Sequence, residues 1–170
     1  MGTADSSTPG GLALPAEGSS AAGLYLLGAL FCERLIVDQD AIATLVRIVD
    51  QFTFELPTGI DELRSTLIVS GTLFLSFRGG DAGQQLKLRI DVVRPVAGRL
   101  TAVNLPVEVS PGFGGFNIHA DLKVGATNEG DYRFEIFLDN RFIVCVPFRV
   151  VHRLVAPVDP TPEHFEEPSA

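Results

Sequence analysis

The chain has 170 residues, 46% hydrophobic and 20% charged, with a formal net charge of −8. That composition describes one globular domain with its own core rather than a disordered chain. The acidic balance, with no Lys/Arg cluster to offset it, excludes nucleic acid and an anionic membrane surface as partners.

Residues 1–22 are mostly Ser, Gly, Ala, Thr and Pro with few large apolar groups, so they read as a disordered N-terminal tail. The run from Leu24 to Val37 is apolar on both faces, as a central strand covered on both sides would be. Its segment GLYLLGALFC is too short to span a bilayer. No basic residue precedes Arg34, while Asp5 and Glu17 do, which argues against a signal peptide and for a buried strand of a cytoplasmic protein. Residues 44–56 read as one looser strand with Val46, Ile48, Phe52 and Phe54 inward. Residues 59–66 (GIDELRST) read as a short helix of about two turns.

From Leu67 onward the period is two. Leu73, Leu75 and Phe77 alternate with Thr72, Ser76 and Arg78, and Leu86, Leu88 and Ile90 alternate with Lys87, Arg89 and Asp91. Gly79-Gly80-Asp81 predicts a tight hairpin between these two strands. Residues 103–109 form a weaker run that Pro106 marks as an edge strand. The PGFGG loop follows, and then a strand with Phe116, Ile118, Ala120, Leu122 and Val124 inward. A turn at 128–131 leads to a strand with Tyr132, Phe134, Ile136 and Leu138 inward. A second hairpin at Asp139-Asn140 leads to the last strand, with Phe142, Val144, Val146, Phe148 and Val150 inward and Ile143, Cys145 and Pro147 outward. Residues 154–170 read as a disordered, acidic, Pro-rich tail. The expected organisation is a tail over 1–22, a β-sandwich domain over 23–153 and a tail over 154–170. Seven to eight short strands without βα alternation predict an antiparallel β-sandwich with one short helix. A closed barrel is the alternative, and the edges suggested by Pro106 and Pro147 favour the sandwich.

Ala29-Leu30-Phe31-Cys32-Glu33, the Gly130-Asp131-Tyr132 motif and Val146-Pro147-Phe148-Arg149-Val150 carry a resemblance. The chain resembles a bacterial family described only as a domain of unknown function. Its members open on an ALLCE-like strand, have a Pro near the end of the second strand (here Pro57) and close on a Gly-x-Tyr strand and a Val-Pro-Leu-Arg-Val-like strand. The resemblance spans residues 25–151 and implies a fold and a bacterial origin, but no chemistry.

Catalytic signals are sparse. His119, His152 and His164 are not spaced as metal ligands and read as partnerless surface residues. Ser70 lies mid-strand with no nucleophile elbow around it. Cys32 and Cys145 lack a CxxC or Cys/His context. Cys145 lies on the outward register with Arg141 and Arg149, whose guanidiniums could lower a thiol pKa; packing at an edge is the plainer reading. If successive strands alternate direction, Asp38, Asp40, Asp81 and Asp139 gather at one pole as calcium candidates, although turns also enrich Asp for backbone reasons. Phe74, Phe137 and Ile143 interrupt polar faces and are candidates for an interaction patch. The expected function is therefore a non-enzymatic protein-binding or accessory module with no cofactor and an unidentified protein partner. A self-associating structural protein and a small-ligand or calcium-binding sandwich are the alternatives.

Overall fold

Alternating side chains need one wet and one dry face, and the chain meets that need with two sheets packed on a shared core. A computed structural model describes residues 23–40, 42–58, 67–96, 98–109 and 115–156. The strands are β1 (Leu24–Val37), β2 (Ala43–Ile48), β3 (Gln51–Pro57), β4 (Leu67–Gly79), β5 (Gln85–Arg94), β6 (Gly98–Glu108), β7 (Gly115–Ala126), β8 (Gly130–Leu138) and β9 (Arg141–Val155). One sheet runs β2-β1-β4-β7 and the other β3-β9-β8-β5-β6. The sandwich expected from the alternation is present, with nine strands rather than seven or eight. The helix expected at 59–66, both tails and the loop at 110–114 lie outside the described residues.

The extra strand comes from the run at 44–56, which divides between the two sheets. Arg47 adopts a left-handed conformation (φ 51°) that bends the chain. Val49 N–H then donates to the Phe31 carbonyl in one sheet at 2.9 Å, and Arg149 N–H of the other sheet donates to the Asp50 carbonyl at 2.7 Å. Two residues thus bridge the two layers. The emerging β3 pairs with β9 in parallel, the one departure from an antiparallel sandwich among the described pairs.

Turn signals divide in the same way. Asp139 and Asn140, both left-handed (φ 47° and 63°), make the tight β8–β9 hairpin the sequence predicts. Gly79 and Gly80, also at positive φ, make no hairpin and instead carry the chain from β4 in one sheet to β5 in the other. Pro106 lies on β6, an edge strand as expected. Pro147 lies on β9, between β3 and β8, but β3 pairs with β9 only from Arg149 onward. Because Arg149 N–H faces the β3 side, Pro147, two residues earlier, presents its missing N–H to that side too. No strand pairs there among the described residues, so the proline costs no ladder bond.

Phe31 of β1, Phe52 of β3, Phe134 of β8 and Phe148 of β9 form the centre of the core. Phe31 meets Phe134 edge-on at 4.9 Å, and Phe134 stacks on Phe148 at 5.0 Å. Tyr132 stacks on Phe148 at 5.3 Å while its hydroxyl donates to the Asn128 carbonyl at 2.9 Å, at the corner between β7 and β8. That tyrosine corner and a strand order of this kind are features of immunoglobulin-type sandwiches. The ring of Phe31 fits because Gly71 of β4 has no side chain. A Cβ there would lie 2.8 Å from a Phe31 ring carbon and 2.7 Å from the Cys32 carbonyl oxygen. Gly71→Ala is therefore expected to cost about 1–3 kcal/mol in urea unfolding. Gly28→Ala, where a Cβ meets nothing within 4 Å, should cost far less.

Candidate interaction surface

The first strand is shared between two partners. Its ladder to β4 runs from Leu24–Gly79 to Cys32–Thr72 and stops there, while its ladder to β2 begins at Cys32–Ile48 and continues to Val37–Ala43. Glu33 shows what this does. Two residues after the core residue Phe31, the pleat would point it inward, yet it is exposed and ion-paired with Arg47 at 2.9 Å. Beyond Cys32 the β1–β2 hairpin has left the sheet as a two-stranded ribbon. The expectation of a strand covered on both sides is corrected accordingly: β1 is dry on one face over residues 24–31 and wet on the other.

The ribbon is apolar on both faces. Leu35 opposes Leu45 on one face, while Arg34 opposes Val46 and Ile36 opposes Thr44 on the other. Val37 and Ile42 near its tip are 52% and 60% exposed, and Ile48 at its base is 62% exposed. Nearer the start of β1, Leu27 bulges out of register and is 59% exposed. Beside the ribbon, residues 67–71 of β4 pair only with β7 among the described residues, and Ile68 on the outward face of this stretch is 54% exposed. A depression of about 540 Å³ between ribbon and sheet is lined by Glu33, Ser70, Thr72, Asp121 and Lys123.

Phe74, Phe137 and Ile143 do not form one patch. Phe74 is half-buried on the outer face of the four-stranded sheet, between Leu30 and His119. Phe137 lies on the other sheet, covered by Arg89 and Arg99, whose guanidinium carbons stand 4.2 and 5.8 Å from its ring centroid. Ile143 packs against the core, and the register shift at Ile136–Phe137 leaves Phe142 exposed in its place.

The arginines over Phe137 belong to a charged cluster that the sequence did not reveal. Asp91 and Glu135 are paired across β5 and β8 on the outward face, yet are only 2% and 8% exposed. Thr101 donates to Asp91 at 2.8 Å, Arg89 pairs with Asp91 at 3.4 Å, and Arg133 pairs with Glu135 at 2.9 Å. Arg99 bonds Glu135 and approaches Asp91 at 3.9 Å. Long side chains laid along the sheet thus cover two carboxylates that no third layer covers. Cys145 is the cross-strand neighbour of Glu135. Its thiol pKa is raised by burial, which outweighs the lowering by Arg133, and Glu135 adds a smaller raise. The thiol activation considered for Arg141 and Arg149 is therefore reversed, and Arg149 faces Asp131 instead. Burial also raises Cys32, and both cysteines are free.

The acids of the supposed calcium pole are split. Asp38 and Asp40 follow the Val37 end of β1, whereas Asp81 and Asp139 lie at the Leu24 end, because β1 runs antiparallel to β4 and the run at 44–56 added an uncounted strand. The Asp139 carboxylate is occupied by Lys87 N–H at 2.8 Å. Among the described residues no three potential ligands gather. His119 is exposed, and His164 lies outside the described residues. His152 keeps both ring nitrogens buried without a hydrogen-bond partner while its N–H bonds Glu129. A cleft of about 390 Å³ opens between the edges β6 and β7, walled by Val92, Leu100, Val103, Leu122 and Val124. Half-buried Arg94 also lines it, and Asp121 and Lys123 at its rim are exposed. No described helix is long and apolar enough to cross a membrane.

No protein-family model matches the chain. The search of curated proteins found no match either. Among solved structures, a β-glucosidase from Listeria innocua aligns at 11% identity with TM-score 0.40, over 59% of this chain and 15% of its own. An alkylpurine DNA glycosylase from Pseudomonas fluorescens aligns at 7% identity with TM-score 0.39, over 72% and 30%. An immunoglobulin-like protein from Pseudomonas aeruginosa aligns at 15% identity with TM-score 0.38, over 78% and 99%. The chain thus spans less than a third of the first two. With TM-scores below 0.5, all three leave the description of the fold where strand order put it.

Two outcomes follow from the charged cluster. Asp91→Ala removes the buried partner of Thr101, Arg89 and Arg99 and should lose about 1–3 kcal/mol in urea unfolding, while Asp81→Ala at an exposed turn stays within about 0.5 kcal/mol of the parent. Iodoacetamide labelling of Cys145 should rise with pH at a midpoint above that of a free cysteine, because the thiolate is the reacting form. A midpoint below it would contradict the burial argument.

Proposed function

We propose that this domain is a non-enzymatic protein-binding module whose contact surface is the β1–β2 hairpin. One observation carries the reading. Of the twelve exposed large hydrophobic side chains among the described residues, seven fall between Tyr25 and Ile48, four of them on the ribbon (Ile36, Val37, Ile42 and Ile48). Single exposed apolar residues are ordinary, but a concentration on one hairpin is the mark of a contact surface. A two-stranded ribbon has too little core of its own to be stable alone, so apolar residues on both of its faces gain from a partner. The module works in the cytoplasm on this reading, where Cys32 and Cys145 stay reduced.

The test is affinity capture from the cells that make the protein, with the full chain and an Ile36→Asp/Ile48→Asp variant as baits. The parent should retain a protein, or further copies of itself, that the variant loses by about tenfold or more. Identical capture by both baits would remove the hairpin as the contact surface.

A further inference from the structure

The same hairpin, read as the protein-binding surface above, identifies its own partner. We propose that the occupant is a second copy of this chain, with the β1–β2 ribbon of each copy laid along the vacated β4 edge, residues 67–71, of the other.

Two unmet needs on one chain support this. The ribbon carries Leu35, Ile36, Val37 and Leu45 with no third strand beside it among the described residues, since the ladder from β1 to β4 ends at Cys32–Thr72. The edge of β4 that β1 leaves behind continues to Leu67 with only β7 beside it among the described residues, and it presents the exposed Ile68. One feature lacks a neighbour strand and the other lacks an apolar cover. A two-fold arrangement supplies both at once, because an isologous interface uses each surface twice.

Charge permits the arrangement in a protein of net charge −8. Between residues 33 and 48, Glu33, Asp38 and Asp40 face Arg34 and Arg47, and Glu33 is already paired with Arg47. Around the vacated edge, Asp121 is balanced by Lys123. Two copies can therefore approach without a block of like charge between them. The exposed apolar side chains of the ribbon and the vacated edge (Ile36, Val37, Ile42, Ile48 and Ile68) amount to on the order of 500 Å² per copy, more than half of the ~800 Å² that each partner contributes to a standard interface.

Two other open edges on the same flank are less suited. Over residues 24–31 the outer edge of β1 is broken by the bulge at Leu27, and the open edge of β9 carries Pro147. Both are devices that discourage strand addition. The vacated stretch LIVSG of β4 has neither a proline nor a charge.

Sedimentation velocity on the full chain, over a wide concentration range, tests the proposal. The parent should dimerise. Ile36→Asp on the ribbon and Ile68→Lys on the edge should each weaken the dimer by about tenfold or more. Leu100→Lys on the distant β6 edge should leave it unchanged. Mixing Ile36→Asp with Ile68→Lys should recover dimer, because one of the two contacts is then intact and the other sets Asp against Lys. Circular dichroism melting checks each variant's fold, and if Ile36→Asp unfolds, Ile68→Lys alone decides. A parent that stays monomeric overturns the second copy as occupant; a different protein lost by the Ile36→Asp/Ile48→Asp bait would then still uphold the binding module. A dimer indifferent to Ile68→Lys overturns the seating on β4.

Discussion

The ring of Phe31 lies where both sheets meet, edge-on to Phe134 at 4.9 Å and within 6 Å of the centroids of Phe52 and Phe148. It can lie there only because Gly71 leaves the space a side chain would fill. This contact joins β1 to β8 and β9 across the sandwich and reaches β3 as well. It also fixes where β1 stops being core. The close passage of the Cys32 carbonyl over Gly71 is the last point at which β1 and β4 run together, and one residue later Glu33 is in solvent. The anchoring of the core and the departure of the ribbon are therefore two consequences of one packing constraint.

That departure leaves the sandwich uneven. On one flank, residues 49 and 50 cross between sheets and bridge them with backbone hydrogen bonds to Phe31 and Arg149. Below the crossing, β1 and β9 keep edges unpaired among the described residues, protected by a bulge and by Pro147. Above it, the ribbon and the vacated end of β4 lie apart. The opposite flank ends on β6 and β7, with a cleft between them. A regular sandwich would bury the apolar residues of β1 evenly. Here one face of β1 is buried as far as Cys32 and no residue of the strand is buried beyond it, and this uneven burial underlies the functional reading.

The outward face of the five-stranded sheet follows a different logic. Asp91 and Glu135 are nearly as dry as the core, although no layer lies above them. Their cover is made of arginine side chains that also lie over Phe137. Arg99 and Arg133 hydrogen-bond Glu135, while Thr101 hydrogen-bonds Asp91 and Arg89 and Arg99 pair with its charge, so neither buried carboxylate is left unpaired. An aromatic residue on a polar face, which in sequence reads as a contact patch, is in the fold the floor of an ion-pair network.

Period two in the sequence is enough to establish the strands from β4 to β9, most of their inward residues and the sandwich class, because alternation along each strand maps directly onto one wet and one dry side. Pro106 marks an edge and Asp139-Asn140 a hairpin for equally local reasons, a missing donor and a tolerance of left-handed backbone. What tertiary structure alone decided depends on residues far apart in the chain. The break of the run at 44–56 is set by its bonds to Phe31 and Arg149, and the separation of Asp38 and Asp40 from Asp81 and Asp139 follows from that extra strand. Phe142 is exchanged for Ile143 by a bulge that only pairing with β8 reveals. The ribbon, too, was hidden: LYLLGALFCERLIV is apolar throughout as a string, and only its loss of β4 at Cys32 determines which half is core and which half faces outward.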